Sequence, residues 1–229
     1  MIVKRNVSMN NEKQLGVIFD LDGVIVDTAK HHYVAWQQLA QAQGWTFTAQ
    51  DNEQLKGVSR VRSLELILQW NKAQIDPEVF DRLLIQKNAL YLTLIADMDP
   101  SERLPDVQRV LQTFKDHGCK IALGSASKNA RPILDKIELT PYFDAIVDGT
   151  NVSKAKPDPE VFLQAANQLG IAPEDCVVFE DAVAGIQAAK AAGMRAYGIG
   201  DPEFLNQADR VFHNFTQLDD TFIEQNIIG

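Results

Sequence analysis

The sequence predicts an α/β fold with a doubly wound parallel sheet, interrupted by one inserted all-helical segment. Short apolar runs alternate with amphipathic helical patterns along most of the chain, and this alternation is typical of parallel sheets. The stretch from residue 28 to residue 100 breaks the alternation, because it holds helical patterns and no convincing strand. We therefore predict a core built from residues 1–27 and 101–229, with residues 28–100 as an inserted helical domain.

The individual elements follow from the spacing of the apolar residues. Compact apolar runs suit strands that are buried on both faces of a sheet. Apolar residues spaced by three and four positions, such as Val107, Val110 and Leu111, predict helices, and Asp158 is expected to cap the helix that follows it. The strands are expected at 15–19, 120–124, 145–147, 176–179 and 196–199, and the helices at 28–42, 61–72 and 77–97 and after residues 106, 158 and 182.

The composition excludes several classes of protein. The chain has 229 residues, of which 45% are hydrophobic, so it can bury a sizeable core. A net charge of −9 argues against nucleic acid as a partner, and no apolar run approaches the roughly 18 residues of a membrane span. Residues 1–13 lack the apolar stretch of a signal peptide, and we expect them to form a flexible tail. Cys119 and Cys176 border apolar runs, which favours buried free thiols over a disulfide and fits a cytoplasmic location.

Two aspartates directly follow the first apolar run. Asp20 and Asp22 are aimed to the same side of an extended chain, and Gly23 permits a tight turn after them. They lie at the carboxyl end of a strand, where open α/β sheets bind their ligands. Two close carboxylates are costly unless a cation offsets their charge, and oxygen ligands favour Mg²⁺. With a metal present, one aspartate can attack phosphorus and the other can act as acid and base. The alternative is a strand that ends in two solvated acids.

Three further motifs follow later strands. Ser125 stands at a strand-to-helix junction, where a hydroxyl and free N–H groups form an anion site, although a serine there is more often a helix cap. Lys156 precedes a proline at a helix start and can balance the carboxylates, whereas Lys154 nearby is expected to be surface charge. Glu180 and Asp181 end another apolar run and can supply further metal ligands.

In this order, the motifs resemble those of the haloacid dehalogenase superfamily, and the resemblance covers about residues 15–200. It implies a Rossmann-like catalytic core, the inserted helices as a cap domain, and phosphoryl transfer through an aspartyl phosphate. Asp20 would be the nucleophile and Asp22 the general acid and base. The resemblance also implies that Mg²⁺ is bound by Asp20, Asp22, Glu180 and Asp181, and that Ser125, Lys156 and the Ala126 amide hold the transferring phosphoryl group.

The inserted segment resembles the cap of the β-phosphoglucomutase group within that superfamily. The similar segments are 27–36, 53–63, 87–88 and, in the core, 125–129. The resemblance implies a Mg²⁺-dependent intramolecular phosphotransferase that interconverts β-D-glucose 1-phosphate and glucose 6-phosphate, with glucose 1,6-bisphosphate as the activating intermediate. It implies that the non-transferring phosphate is held by Arg60, Ser127, Lys128 and Asn129. The residues implied to contact the sugar are Thr28, Trp36, Leu55, Gly57, Val58, Ser63 and Lys87. His32 would hydrogen-bond near Asp22 and couple closure of the cap to this acid.

Other interpretations of the same residues stay open at this stage. Apart from the resemblance, His32 is consistent with an exposed or capping residue, Trp36 with core packing, and Arg60 with a solvated helix start. The core motifs also suit a Mg²⁺-dependent sugar-phosphate phosphatase, or a sensor that binds sugar phosphates without turnover. In each case the partner is a small hexose phosphate, and we expect a monomer.

Three positions depart from the pattern of the group. Gly124 replaces a small apolar residue, Ala182 stands where a serine is common, and Asp106 stands where a glycine is usual. We expect Asp106 to alter the stiffness of the crossing between cap and core, and Ala182 to remove one hydrogen bond beside the acids.

Overall fold

The core is built on one six-stranded sheet, in which every neighbouring pair of strands is parallel. The structure is a computed structural model and describes residues 14–229. The tail predicted at residues 1–13 lies outside the described residues. The strand order is β3-β2-β1-β4-β5-β6, so the predicted doubly wound α/β fold is confirmed. The strands are β1 (Gly16–Phe19), β2 (Lys120–Gly124), β3 (Ala145–Val147), β4 (Cys176–Glu180), β5 (Arg195–Ile199) and β6 (Arg210–Phe212).

The sequence predicted the first five strands to within one residue and missed β6. Strand β6 has three residues, Arg210–Phe212, and pairs with β5 at the edge of the sheet. Only Phe212 in it is buried. Such a short, partly exposed strand has no apolar run from which it could be recognised.

The inserted segment is helical, and we call residues 28–100 the cap segment. Its helices bury one apolar cluster, which includes Trp36, Leu64, Ile67 and Leu83. The prediction missed the second helix, which is short and begins at a capping box: the Asp51 amide donates to Thr48 Oγ1 at 3.2 Å, and the Thr48 amide donates to Asp51 Oδ2 at 2.8 Å. The division into two domains stays a prediction. The helices are α1 (Ala29–Ala42), α2 (Ala49–Glu53), α3 (Arg60–Trp70) and α4 (Pro77–Leu94).

Both faces of the sheet are covered by core helices, as the continuous apolar strands require. Phe19 and Phe179 stack at 5.0 Å between ring centroids on the face that α5 and α6 cover, whereas Ile18 and Val178 face α7 and α8. Among residues 14–229, no helix is long and apolar enough to cross a membrane. Both cysteines are buried free thiols, as predicted. The core helices are α5 (Val107–Asp116), α6 (Ala130–Lys136), α7 (Glu160–Leu169), α8 (Val183–Ala191) and the short α9 (Asp220–Phe222).

Two helix starts differ from simple expectation. Helix α7 begins at Glu160 with Pro159 in the cap position, and Asp158 Oδ1 accepts a hydrogen bond from the Glu160 amide at 3.0 Å. The predicted capping role of Asp158 is thus carried out one residue further from the helix.

Asp106, before α5, has a left-handed φ of 62°, which favours glycine. Arg109 donates to Asp106 Oδ2 from Nε at 3.2 Å and from Nη2 at 3.1 Å.

Candidate active site

Three carboxylates converge at the carboxyl edge of the sheet, between β1 and β4. Phe19 lies opposite Phe179 in the register of these strands, so Asp20 and Glu180 follow as neighbours. One oxygen each of Asp20, Glu180 and Asp181 lies within 4.8 Å of the others. Burial raises the pKa of Glu180 to about 7, with a further contribution from the charge of Asp20, and burial together with Glu180 raises that of Asp181 well above its usual range. The strand register therefore creates a concentrated negative charge that needs cations.

Lys156 supplies one of these cations. Its Nζ donates to Asp20 Oδ1 at 2.6 Å and to Glu180 Oε2 at 2.7 Å, and it lies 4.6 Å from the centroid of the Phe162 ring. The lysine side chain is 1% exposed. Burial opposes its charge, but the two carboxylates outweigh burial and raise its pKa. One ammonium group cannot neutralise all three carboxylates, so the cluster still needs a further cation or protons.

The remaining charge and the donor set fit a hard divalent cation. All the converging ligand atoms are carboxylate oxygens, which Mg²⁺ prefers. Two glycines make room for them: a Cβ at Gly23 would lie 2.1 Å from Asp181 Oδ2, and one at Gly185 would lie 2.1 Å from Glu180 Oε2. The Asp20, Glu180 and Asp181 carboxylates are therefore the residues that could hold Mg²⁺, and a contact of Asp22 with the metal stays a prediction.

Asp22 has a different environment from the other acids. Its Oδ1 is buried and has no hydrogen-bond partner among residues 14–229. Burial, and after it the charge of Asp20, raises the pKa of Asp22 to about 7, although Lys87 and Lys156 act in the opposite direction. A carboxyl group with this pKa can both donate and accept a proton near neutral pH.

Lys87 and His32 form a buried pair beside this acid. Lys87 Nζ lies 2.6 Å from His32 Nδ1 and 4.6 Å from the centroid of the Tyr91 ring, on which His32 stacks. Burial, and then Arg60, lowers the pKa of Lys87 to about 7. Burial and Lys87 lower the pKa of His32 well below its usual value, so His32 is neutral and accepts from Lys87. The structure thus gives His32 a hydrogen bond to Lys87 beside Asp22, and the predicted coupling of His32 to cap closure stays a prediction.

The 125–129 loop after β2 is shaped by its own hydroxyl groups. Ser125 Oγ accepts a hydrogen bond from the Ser127 amide at 3.1 Å, and Ser127 Oγ accepts one from the Asn129 amide at 3.2 Å. Asn129 Nδ2 donates to Asn88 Oδ1 in α4 at 3.0 Å. The loop therefore has a fixed shape and contacts the cap segment directly.

A cavity of about 450 Å³ lies between the cap segment and the carboxyl edge of the sheet. Four predicted residues do not line this cavity. Thr28 is fully buried. The other three, Lys156, Glu180 and Asp181, belong to the charged cluster that includes Asp20. The predicted residues that line the cavity are Asp20, Asp22, His32, Trp36, Leu55, Gly57, Val58, Arg60, Ser63, Lys87, Ser125, Ala126, Ser127, Lys128 and Asn129.

Several lining residues were not found from the sequence. Lys56 is half-buried, pairs with Glu53 at 2.8 Å and interacts electrostatically with Asp181. The sequence signal that could have identified Lys56 is its position between Leu55 and Gly57, which were both predicted to contact the sugar. Lys154, expected to be surface charge, is 68% exposed and lies 3.4 Å from Asp158, but it also lines the cavity. The other lining residues missed are Ala29, Asn52, Ser59, Val61, Leu84, Gly149, Val152, Ser153 and Ala155.

The two departures near the site have visible packing consequences. A Cβ at Gly124 would lie 2.9 Å from Phe162 Cδ1, so the end of β2 needs glycine there. A Cβ at Gly57 would lie 3.2 Å from the Ala182 Cβ, which shows that the cap segment approaches the core closely at Ala182. The Ala182 amide donates to Glu180 Oε1 at 3.0 Å and so orients that carboxylate without a side-chain hydroxyl.

The fold and the acids belong to a known family. The family model for haloacid dehalogenase-like hydrolases matches residues 15–193, and the chain is a member of this family.

Its relatives include both mutases and phosphatases. The chain is 43% identical over 204 residues to a β-phosphoglucomutase of Bacillus subtilis, covering 88% of this chain and 90% of that protein. It is 36% identical over 188 residues to a fructose-1-phosphate phosphatase of Escherichia coli, covering 82% and 97%. The crystal structure of a β-phosphoglucomutase from Clostridium difficile is similar with a TM-score of 0.89 and 39% identity, covering 93% of this chain and 96% of that one.

The acidic cluster leads to a prediction about metal binding. Mg²⁺ should raise the melting temperature of the wild-type protein, because it offsets charge that Lys156 leaves uncompensated; at about 100 times the Kd the gain is about 2.7 kcal/mol. Asp181→Asn should lose most of this response. Asp144→Asn, at the opposite edge of the sheet, is the control and should keep it. The response is measured by thermal melting. An equal rise in melting temperature with Mg²⁺ in the wild type and in Asp181→Asn would contradict this metal site.

Proposed function

We propose that this protein is a Mg²⁺-dependent β-phosphoglucomutase that interconverts β-D-glucose 1-phosphate and glucose 6-phosphate. One observation carries the proposal: a single cavity is lined by Asp20 and Asp22 and also by cationic groups from two sides, Arg60 of the cap segment and Lys128 of the core. A mutase must hold one phosphate while the other reacts, whereas a phosphatase needs a single phosphate site. The relatives in Bacillus subtilis and Clostridium difficile support the same assignment.

In the proposed reaction, a carboxylate oxygen of Asp20 attacks the phosphorus of a bound sugar phosphate. The phosphorus–oxygen bond to the sugar breaks, and an aspartyl phosphate forms on Asp20. Lys156 is already bonded to Asp20 Oδ1 and lies where it can stabilise the transferring phosphoryl group together with Ser125 and the Ala126 amide. Mg²⁺ held by the neighbouring carboxylates would neutralise further charge on that group.

Asp22 is proposed to move the proton that each transfer requires. When the phosphoryl group leaves the sugar, protonated Asp22 donates to the sugar oxygen; when the sugar hydroxyl attacks, Asp22 removes its proton. Its raised pKa, about 7, suits both roles near neutral pH. Starting from the phosphorylated enzyme, β-D-glucose 1-phosphate becomes glucose 1,6-bisphosphate, and transfer from the opposite end then yields glucose 6-phosphate and restores the aspartyl phosphate.

The second phosphate is proposed to lie between Arg60 and residues 127–129. A guanidinium fork suits bidentate binding of phosphate, and the Asn88–Asn129 hydrogen bond connects this region of the core to α4. The sugar would contact the cavity residues already described, including Trp36 and Lys87. Closure of the cap segment over the substrate would exclude water, which is the competing acceptor. We place the enzyme in the cytoplasm as a monomer that acts on a small hexose phosphate.

A sugar-phosphate phosphatase on the same core is the second candidate. Relatives named as phosphatases, from Escherichia coli and Thermotoga maritima, are 36% and 32% identical to this chain. The phosphatase uses the same nucleophile and acid but passes the phosphoryl group to water. A sensor without turnover is the third, and the complete set of acids, Lys156 and Ser125 disfavours it.

The products distinguish these functions. Purified protein is incubated with Mg²⁺, β-D-glucose 1-phosphate and a trace of glucose 1,6-bisphosphate, with the α-anomer as control, and glucose 6-phosphate and free phosphate are followed together. We expect glucose 6-phosphate from the β-anomer with little free phosphate. Stoichiometric free phosphate would make the protein a phosphatase, and binding without either product would make it a sensor.

Arg60 offers a more specific prediction. Arg60→Ala should lower kcat/KM of the mutase reaction by about 10- to 100-fold, because a charge-assisted contact to the distal phosphate is lost. Hydrolysis of acetyl phosphate, which has no distal phosphate, should change much less. Arg62→Ala is the matched control, since Arg62 lies on the same helix, is exposed and pairs with Glu65. Equal losses in both reactions would contradict a distal-phosphate role for Arg60.

A further inference from the structure

A buried acid outside the proposed chemistry follows strand β3. Asp148 is 2% exposed, and burying a carboxylate is costly unless its oxygens have partners. Asp148 Oδ1 accepts hydrogen bonds from the Thr150 amide at 2.8 Å and from Thr150 Oγ1 at 2.5 Å. Its own amide donates to Asn151 Oδ1 at 2.9 Å. These bonds fold residues 148–151 into a fixed turn.

Arg131 ties the same acid to helix α6. Its Nε lies 3.5 Å from Asp148 Oδ2, and its Nη2 donates to the Ile146 carbonyl at 2.7 Å. Helix α6 begins directly after the 125–129 loop. Arg131 therefore connects the segment that leaves the loop to the end of β3.

The turn after β3 lies directly against the 125–129 loop. The Ser125 amide donates to the Val147 carbonyl at 3.0 Å, and the Gly149 amide donates to the Ser127 carbonyl at 3.2 Å. A Cβ at Gly149 would lie 2.3 Å from the Ala126 carbonyl oxygen. The backbone of the loop thus lies on the turn, and no side chain fits between them.

We propose that Asp148 and Gly149 are positioning residues for phosphate binding. Asp148, with Arg131 and Thr150, fixes the turn. The turn, through Gly149, fixes the loop conformation that aims the Ala126 amide and the loop side chains at a phosphate. This inference rests on the proposed function only in taking the 125–129 loop as a phosphate site. It holds for a mutase and for a phosphatase alike.

The test compares Asp148, which follows strand β3, with Asp144, which precedes the same strand. Asp144 precedes β3, accepts from the Ile121 amide at 2.9 Å and lies 3.3 Å from Lys120 Nζ, so it also bonds one backbone amide and one cation. Binding of inorganic phosphate in the presence of Mg²⁺ is measured by calorimetry. Asp148→Asn should weaken phosphate binding about tenfold, whereas Asp144→Asn should change it by less than about twofold.

A second readout separates positioning from general loss of structure. The rise in melting temperature caused by Mg²⁺ reports on the Asp20, Glu180 and Asp181 cluster, which Asp148 does not contact. It should be unchanged in Asp148→Asn, whereas a loosened core would reduce both responses. A phosphate Kd equal to that of Asp144→Asn, or equal loss of the Mg²⁺ response, would overturn the proposal.

Two further variants keep the test decisive if Asp148→Asn does not fold. Gly149→Ala should displace the Ala126 carbonyl and weaken phosphate binding to a similar extent. Arg131→Ala, at a side chain 54% exposed, should weaken it by a smaller factor, with Lys120→Ala as its control. Unchanged phosphate binding in both variants, or no phosphate binding by the wild type, would overturn the positioning role. The product assay decides separately between mutase and phosphatase.

Discussion

Buried negative charge at the end of two adjacent strands governs the organisation of this site. The parallel register of β1 and β4 brings Asp20 beside Glu180, and Lys156 bonds to both within 2.7 Å. Removing either kind of charge would leave the other uncompensated in a buried place, where an unpaired ion costs several kcal/mol. Glycines at 23 and 185 leave space for the carboxylates. The register of the strands brings the acids together, and the position of Lys156 and the fit of the carboxylates to a divalent cation follow from the charge that results.

The cap segment contributes a buried ionisable group, Lys87, which interacts with Asp22 of the core. Lys87 lies against His32 and the ring of Tyr91, and burial with Arg60 lowers its pKa to about 7. Asp22, which attracts it, has its pKa raised to a similar value by burial. The contact between the cap segment and the core therefore places two groups with similar pKa values, Asp22 and Lys87, in one desolvated region.

Sequence patterns were sufficient where the information is local. Apolar runs located β1 to β5, and the acids at 20, 22, 180 and 181 could be recognised because each follows such a run. Strand β6 and helix α2 are too short for periodicity, and α2 is held by its Thr48–Asp51 capping box. The bond from Lys87 to His32, and the contact of Gly149 with Ala126, join segments distant in sequence. No spacing rule predicts such contacts, because they depend on how the cap segment and the loops pack.

The central claim is that Asp20 becomes phosphorylated during turnover. In the most direct measurement, the enzyme reacts with glucose 1,6-bisphosphate and the reaction is quenched within milliseconds. The phosphoryl group is then located by peptide mass spectrometry. We expect one acid-stable, base-labile phosphoryl group on the peptide that contains Asp20, and none in Asp20→Asn. A phosphoryl group on another residue, or turnover by Asp20→Asn at the wild-type rate, would contradict it.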